Sequence, residues 1–212
     1  AELHEETGID PELTPSGLLI LDTEELSQAL AWAERHQAET RILDGEHLQA
    51  SEPELGPRPA QALLLPEVAQ VRNPRLVKSA RRFLEGRITL REQEEVLELL
   101  VEQGRARGVR TPKGEILADQ VVICTGAWTA KLLEQLGSMP EIEPVRGQMI
   151  LFLAHPGQIN HVTLHQERYV IPRRDGHVLI GSTLEHTGFV KATTAEAKEA
   201  LYRSAVELFP IL

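Results

Sequence analysis

The sequence predicts a mixed chain, α/β at its centre and α+β around it: an antiparallel sheet, and a small antiparallel meander that leads into a parallel strand. Three observations predict this. From Glu143 onward the runs "PVRGQMILFLAH", "HVTLH", "RYVIPRR" and "HVLIGST" follow one another with turn signals between them and no helix, which is the order of an antiparallel sheet. At Val121–Trp128 the stretch "VVICTGAW" runs four small or β-prone apolar residues straight into Thr-Gly, as a buried parallel strand does where it ends beside a nucleotide. Helical stripes of period 3.6 stand before the meander and after the sheet.

The elements follow in order. "SGLLILD" reads as a short strand entering a helix, and between Asp22 and Glu39 the set Leu26, Ala29, Leu30, Ala33 falls at i, i+3, i+4, i+7, with Asp22 and Glu25 spaced as a capping box. "ASEPELGPRPAQ" is rich in Pro and Gly and therefore irregular, and the apolar piece "ALLLP" follows it. "RNPRLVKSARRFLEG" predicts a second helix with Asn73 as cap, Pro74 at its first position, Gly86 at its end and an inner stripe of Leu76, Val77, Ala80, Phe83 and Leu84. "ITL", "EEVLELLVE", "RARGVRTP" and "GEILADQVVICTG", broken at Gln103-Gly104 and Pro112-Lys113-Gly114, read as the meander. The last helix starts at a box of Thr193 and Glu196 and shows Ala197, Ala200, Leu201, Ala205 and Leu208 on one side.

Composition narrows the function. The 212 residues, 42% hydrophobic and 25% charged, suffice for one large or two small domains with a buried core. A net charge of -10, with 22 dispersed basic residues, lacks the clustered basic face that a nucleic acid requires. The longest apolar run, "MILFLA", is strand-sized, against the roughly 20 residues of a membrane helix. The opening "AELHEETG" is acidic, unlike a signal peptide, and Cys124 has no cysteine to pair with, so a reducing cytoplasm is expected. Ala1 is no initiator Met and "ELFPIL" directly follows a helical pattern, from which an internal piece of a longer protein is expected.

The hairpin "YVIPRRDGHVLIGSTLE" carries the most local geometry. With Asp175-Gly176 as a two-residue type I′ loop, Arg174 pairs with His177, and outward from it Ile171 faces Ile180, Tyr169 faces Ser182 and Glu167 faces Leu184. Alternation then puts a phenol, a hydroxyl, a carboxylate and apolar groups on one face, the make-up of a pocket or of a half-exposed sheet. His155, His161 and His165 match no metal-ligand spacing and have no cysteine partners, so they read as loop histidines. Cys124, inside an apolar strand, reads as a small core residue, and Trp32 and Trp128 as packing. No G-x-G-x-x-G, G-x-S-x-G, H-E-x-x-H or P-loop occurs.

Taken together, "SGLLIL", "NPRLVKSA", "VRTPKGEILADQVVICTGAWTAKLLEQLG", "PVRGQMILF", "RYVIPRRDGHVLIGSTLEHTGF" and "TTAEAKEAL" resemble, in order, the FAD-dependent amine and D-amino-acid oxidase family, and within it the glycine oxidases of thiamine biosynthesis. The resemblance implies a discontinuous, Rossmann-like FAD-binding domain and an antiparallel-sheet substrate domain. Residues 1–70 would be the first part of the substrate domain, 71–140 the central part of the FAD domain, and 141–212 the second part of the substrate domain. It also implies that Val96 meets the FAD adenosine through its backbone and that Thr125 and Gly126 end the strand beside the cofactor. Tyr169 matches a substrate-pocket tyrosine. Leu184 and Glu167 stand where glycine oxidases carry a methionine and a histidine, which leaves the amine or small amino acid unspecified.

The implied reaction is hydride transfer to the flavin, hydrolysis of the imine to oxo acid and ammonia, and reoxidation by dioxygen with release of hydrogen peroxide. No catalytic residue is implied within this segment, and a homo-oligomer stays open. Two other readings stand beside it: a D-amino-acid dehydrogenase of the same family, and a free-standing, non-catalytic substrate-binding domain.

Overall fold

The computed structural model describes residues 2–21, 23–56, 59–137 and 140–212. In chain order its elements are α1 (Glu2–Thr7), β1 (Leu18–Ile20), α2 (Thr23–His36), β2 (Arg41–Asp44), α3 (Gly45–Ser51), β3 (Gln61–Leu65), α4 (Asn73–Leu84), β4 (Glu98–Glu102), β5 (Arg105–Thr111), β6 (Gly114–Leu117), α5 (Thr129–Leu133), β7 (Met149–Leu153), β8 (Val162–His165), β9 (Arg168–Pro172), β10 (His177–Gly181) and α6 (Ala195–Leu208). They form two compact units, Ala1–Glu85 with Gly147–Leu184 and Ala192–Leu212, and Gly86–Arg146 with Glu185–Lys191. Among the described residues no helix is long and apolar enough to cross a membrane.

The first unit is a seven-stranded mixed sheet in the order β2-β3-β1-β8-β9-β10-β7. Strands β8, β9, β10 and β7 pair antiparallel, as the run of strand patterns predicts, and β1 joins them parallel to β8. Alternation gives the sheet two faces. Leu19, Leu64, Val170, Val178 and Ile180 point to one side and pack with Leu48 of α3 and with Ala205, Leu208 and Phe209 at the end of the chain. Ile20, Leu63 and Leu65 point to the other, where Leu26, Ala29 and Leu30 of α2 cover them. Along β7 that second face is open: Met149, Leu151 and Leu153 are 53%, 56% and 75% exposed.

A buried carboxylate ties α3 to this sheet. Glu52, fully buried after α3, accepts hydrogen bonds from the backbone N–H of Asn160 and His161 and from Nδ1 of His161 at 3.0 Å.

Tertiary contacts move the helix starts. The Asp22 cap lies outside the described residues. Helix α6 is capped by Thr194, not Thr193: Thr194 Oγ1 accepts from Ala197 N at 3.2 Å, while the Gln148 side chain accepts from Thr194 N at 2.8 Å and so selects the cap. Helix α4 begins at Asn73 itself, with extended Arg72 before it. Its predicted inner stripe is only half used. Ser79 is the buried residue, bonded to Thr7 Oγ1 of α1, whereas Leu76, Val77 and Leu84 are exposed.

The β9–β10 hairpin corrects the predicted register by one residue. Tyr169 pairs with Gly181, Val170 with Ile180 and Ile171 with Leu179. The loop holds three residues: Gly176 N bonds to Arg173 O at 3.1 Å, Gly176 is left-handed at φ 87, and Arg173 N closes on His177 O at 2.7 Å. That is a type I turn followed by a left-handed glycine, not the two-residue type I′ loop. The reason is tertiary. Asp175 keeps a negative φ because its carboxylate is engaged by Arg72 at 2.7 Å and by His177 N at 3.2 Å, while Arg174 reaches Asp10 and Thr14. Ile180 and Ser182 thereby leave the Tyr169 face.

The Arg72 hydrogen bond holds the Asp175 carboxyl well below the usual carboxylate range. Stability from a depressed carboxyl is complete above its unfolded value near pH 4 and is lost as pH falls through the native value. Because the carboxylate is 42% exposed, we expect Asp175→Asn to cost only about 1 kcal/mol at pH 7. The gap to wild type should narrow below about pH 4 in urea denaturation, and a pH-independent gap would refute the pairing.

The second unit is built on the meander β4-β5-β6, all antiparallel. "ITL" is not a strand, and Ile88 and Leu90 are exposed. The expected parallel strand at Val121 is also a correction. Val121–Thr125 pairs with no strand among the described residues, and Val122 is 83% exposed. A parallel strand takes every ladder bond from a neighbour, and the sheet of this unit ends at β6.

Candidate functional site

In the second unit the segment before β4 and the start of α5 enclose an open groove. Glu94 fixes the first wall: its carboxylate takes hydrogen bonds from Thr111 Oγ1 at 2.9 Å and Lys113 Nζ at 3.3 Å, and the Thr111 bond leads in holding its carboxyl below the usual range. Leu97 N bonds to Arg110 O at 2.8 Å, so Val96, between these anchors, stands on the rim. The second wall is a turn. Gly126 takes φ 52, Trp128 N bonds to Thr125 O at 3.0 Å, and Thr125 Oγ1 lies 3.0 Å from Thr129 Oγ1. The groove, about 610 Å³, is lined by Glu95, Val96, Leu97, Cys124, Thr125, Trp128, Lys131 and Leu132.

Two residues predicted from widely separated stretches, Val96 and Thr125, therefore meet at one groove, and Gly126 forms its turn. Cys124 and Trp128 were misread as core and packing. Cys124 is exposed and Trp128 is 47% exposed, its ring stacked on Phe189 at 5.4 Å with Lys191 Nζ 5.3 Å from the centroid. The signal was present in the spacing, since Thr125, Trp128 and Leu132 stand at i, i+3, i+7, one side of a helical stretch. Trp32 is likewise half exposed, against His36.

The first unit carries the other candidates on its open sheet face. Tyr169 lies there with Ile171, Leu179, Met149 and Leu151, and its hydroxyl donates to Met149 Sδ at 3.2 Å. The other two predicted residues do not join it in the sheet. Gln166 and Glu167, at φ 47 and φ 61, form the two-residue turn between β8 and β9, and Glu167 N donates to Glu25 Oε1 at 3.2 Å. Leu184 lies beyond the end of β10, 72% exposed. The predicted row of Glu167, Tyr169, Ser182 and Leu184 is thus replaced by Tyr169, Gly181 and Met149. Of the histidines, His161 is engaged by Glu52, and no group of three His, Cys, Asp or Glu among the described residues could hold a metal ion.

One unit thus carries a groove and the other an apolar sheet face with a phenol. The family model described as FAD dependent oxidoreductase matches residues 1–212, and the chain belongs to that family. It is 46% identical over 208 residues to a glycine oxidase of Pseudomonas putida, covering 97% of this chain and 57% of that protein. To a glycine oxidase of Pseudomonas aeruginosa it is 44% identical over 212 residues, covering 99% and 58%. The crystal structure of glycine oxidase from Geobacillus kaustophilus superposes with a TM-score of 0.91 at 26% identity, covering 99% of this chain and 58% of that one. The chain thus spans less than three-fifths of the length of these relatives.

Proposed function

We propose that this chain is the central part of a flavin-dependent oxidase that deaminates glycine or another small amino acid or amine. The observation that carries the reading is the groove at which Val96 and Thr125 converge. Its size suits an adenosine, since small-ligand sites span about 300–1,000 Å³. Its walls are apolar at Val96, Leu97, Trp128 and Leu132, and the Val96 backbone has no hydrogen-bond partner among the described residues. An adenine edge would pair with that backbone, with Thr125 and Gly126 leaving its approach open.

When bound, FAD supplies the hydride acceptor and the route to dioxygen, with hydrogen peroxide as the reduced product. The chain's own residues position and exclude. Tyr169 orients the substrate through its hydroxyl, and the apolar residues around it on the open face keep water from the reacting carbon. No proton-transfer group is required of this segment. With one cysteine and no internal disulfide, the protein fits a reducing cytoplasm.

Taken alone, the chain is expected to lose FAD on dialysis, because a pyrophosphate is held by a glycine turn at a helix N-terminus and no G-x-G-x-x-G occurs in its sequence. Protein that stays yellow would contradict this. In the full-length flavin-loaded protein, Tyr169→Phe should weaken substrate binding by about 0.5–1.5 kcal/mol for a neutral partner, and more for a carboxylate. The limiting rate of flavin reduction should survive. Rapid mixing separates the outcomes: a hundredfold loss in that rate at unchanged affinity would make the phenol an acid or base and end the orienting role.

A further inference from the structure

We infer that Gly181 and Met149 are positioning residues that set where the Tyr169 hydroxyl is presented, and that Gly181 thereby keeps open the volume above the sheet that a small substrate would fill; this rests on the reading of Tyr169 as a substrate contact. Gly181 pairs with Tyr169 on one side and with Met149 on the other, so the three form a row across β9, β10 and β7 on the open face. A strand side chain ordinarily stands roughly perpendicular to its sheet. Tyr169 instead leans across β10, over the space that Gly181 leaves, and its hydroxyl reaches Met149 Sδ at 3.2 Å.

The space is fully used. A Cβ on Gly181 would lie 2.7 Å from the Tyr169 hydroxyl, 2.8 Å from Tyr169 Cζ and 2.8 Å from Met149 Cγ. All three are side-chain atoms, two of them at the far end of the tyrosine, and the Gly181 backbone is not left-handed, so an alanine would fit the strand and displace the tyrosine. A displaced phenol stands up into the volume above the sheet, where a small amino acid would otherwise lie.

Met149 adds the second half of the device. A thioether is a weak acceptor, whereas a carboxylate takes a strong, charge-assisted bond. Without substrate the hydroxyl rests on Met149; an arriving carboxylate draws the same proton away at little cost. The hydroxyl is held low and ready without being tied to a partner it would have to be pulled from.

The test begins with the methionine methyl signals. In the full-length flavin-loaded protein, the labelled methyl resonance that Met149→Leu removes identifies Met149. The Met149 methyl should show ring-current displacement and a cross-peak to the Tyr169 ring, and Gly181→Ala should abolish both. In the full-length flavin-loaded protein, Gly181→Ala should raise the KM for glycine about tenfold while changing the limiting rate of flavin reduction by less than about twofold. Met149→Leu, which keeps the volume and removes the acceptor, should raise it by about two- to threefold, and carries the test should Gly181→Ala fail to fold.

A wild-type Met149 methyl with no contact to Tyr169, or one unmoved by Gly181→Ala, overturns the inference. So does an unchanged KM in Gly181→Ala where Tyr169→Phe does raise KM, which leaves the substrate reading intact. If neither variant changes KM, the substrate reading falls and the inference falls with it.

Discussion

Replacing Glu52 by leucine is expected to destabilise the first unit by about 3 kcal/mol or more. The carboxylate is fully buried and is the acceptor for Asn160 N, His161 N and His161 Nδ1. Leucine accepts none of them, and a buried donor left unpaired costs about 1–3 kcal/mol, reduced at Asn160 because that residue reaches solvent. Glu52→Gln keeps one acceptor oxygen and the shape, so it should cost about half as much. Urea denaturation of the three proteins orders them wild type, Gln, Leu. A leucine variant within about 1 kcal/mol of wild type would mean that the turn before β8 finds other partners, and that Glu52 does not hold α3 to the sheet.

Gly108→Ala should disrupt the meander of the second unit. Gly108 sits in the central strand β5 at φ 149, beside the irregularity at Leu100 and Val101, and an added Cβ would lie 2.0 Å from the backbone oxygen of Ile116 on β6. Backbone, unlike a side-chain end, cannot swing away. Strain at the dihedral and overpacking each cost about 1–3 kcal/mol, so a combined loss of about 3 kcal/mol or more is expected. Amide hydrogen exchange of β5 and β6 should quicken strongly while the β8–β9–β10 amides stay protected. Because Leu97 takes its anchor from Arg110 of β5, the groove wall at Val96 should loosen as well. Unchanged exchange in β6 would show that the two strands separate without cost.

Much of the candidate site was legible, but in pieces. Thr125-Gly126 shows itself as a strand-like run meeting a break, and Tyr169 as part of a hairpin pattern. Val96 has no local signature; it was reached only through resemblance, and it matters because Glu94 and Leu97, its neighbours, are bonded to β5 and its flanking turn. Trp128 and Cys124 were misread because an aromatic or a cysteine in an apolar run has the same local pattern whether it faces a core or a groove. Which of the two it faces depends on what lies opposite, and that is not encoded nearby.

By itself the sequence determined the types and order of most elements: α2 and α6 by their 3.6-residue stripes, the chain of antiparallel strands after Glu143 by period-two runs without helices, and the meander by its glycine breaks. These are properties of one segment and its own backbone, so a single segment reveals them. Only the tertiary structure decided the register of β9 on β10, the cap of α6 and the state of Val121–Thr125. In the first two the local alternatives differ by about 1 kcal/mol, the difference between two turn types or two adjacent threonine caps. Arg72 on Asp175 and Gln148 on Thr194 supply that much from distant parts of the chain. A parallel strand is the extreme case: its ladder bonds all come from other segments, so its pattern states a preference that only neighbouring strands can satisfy.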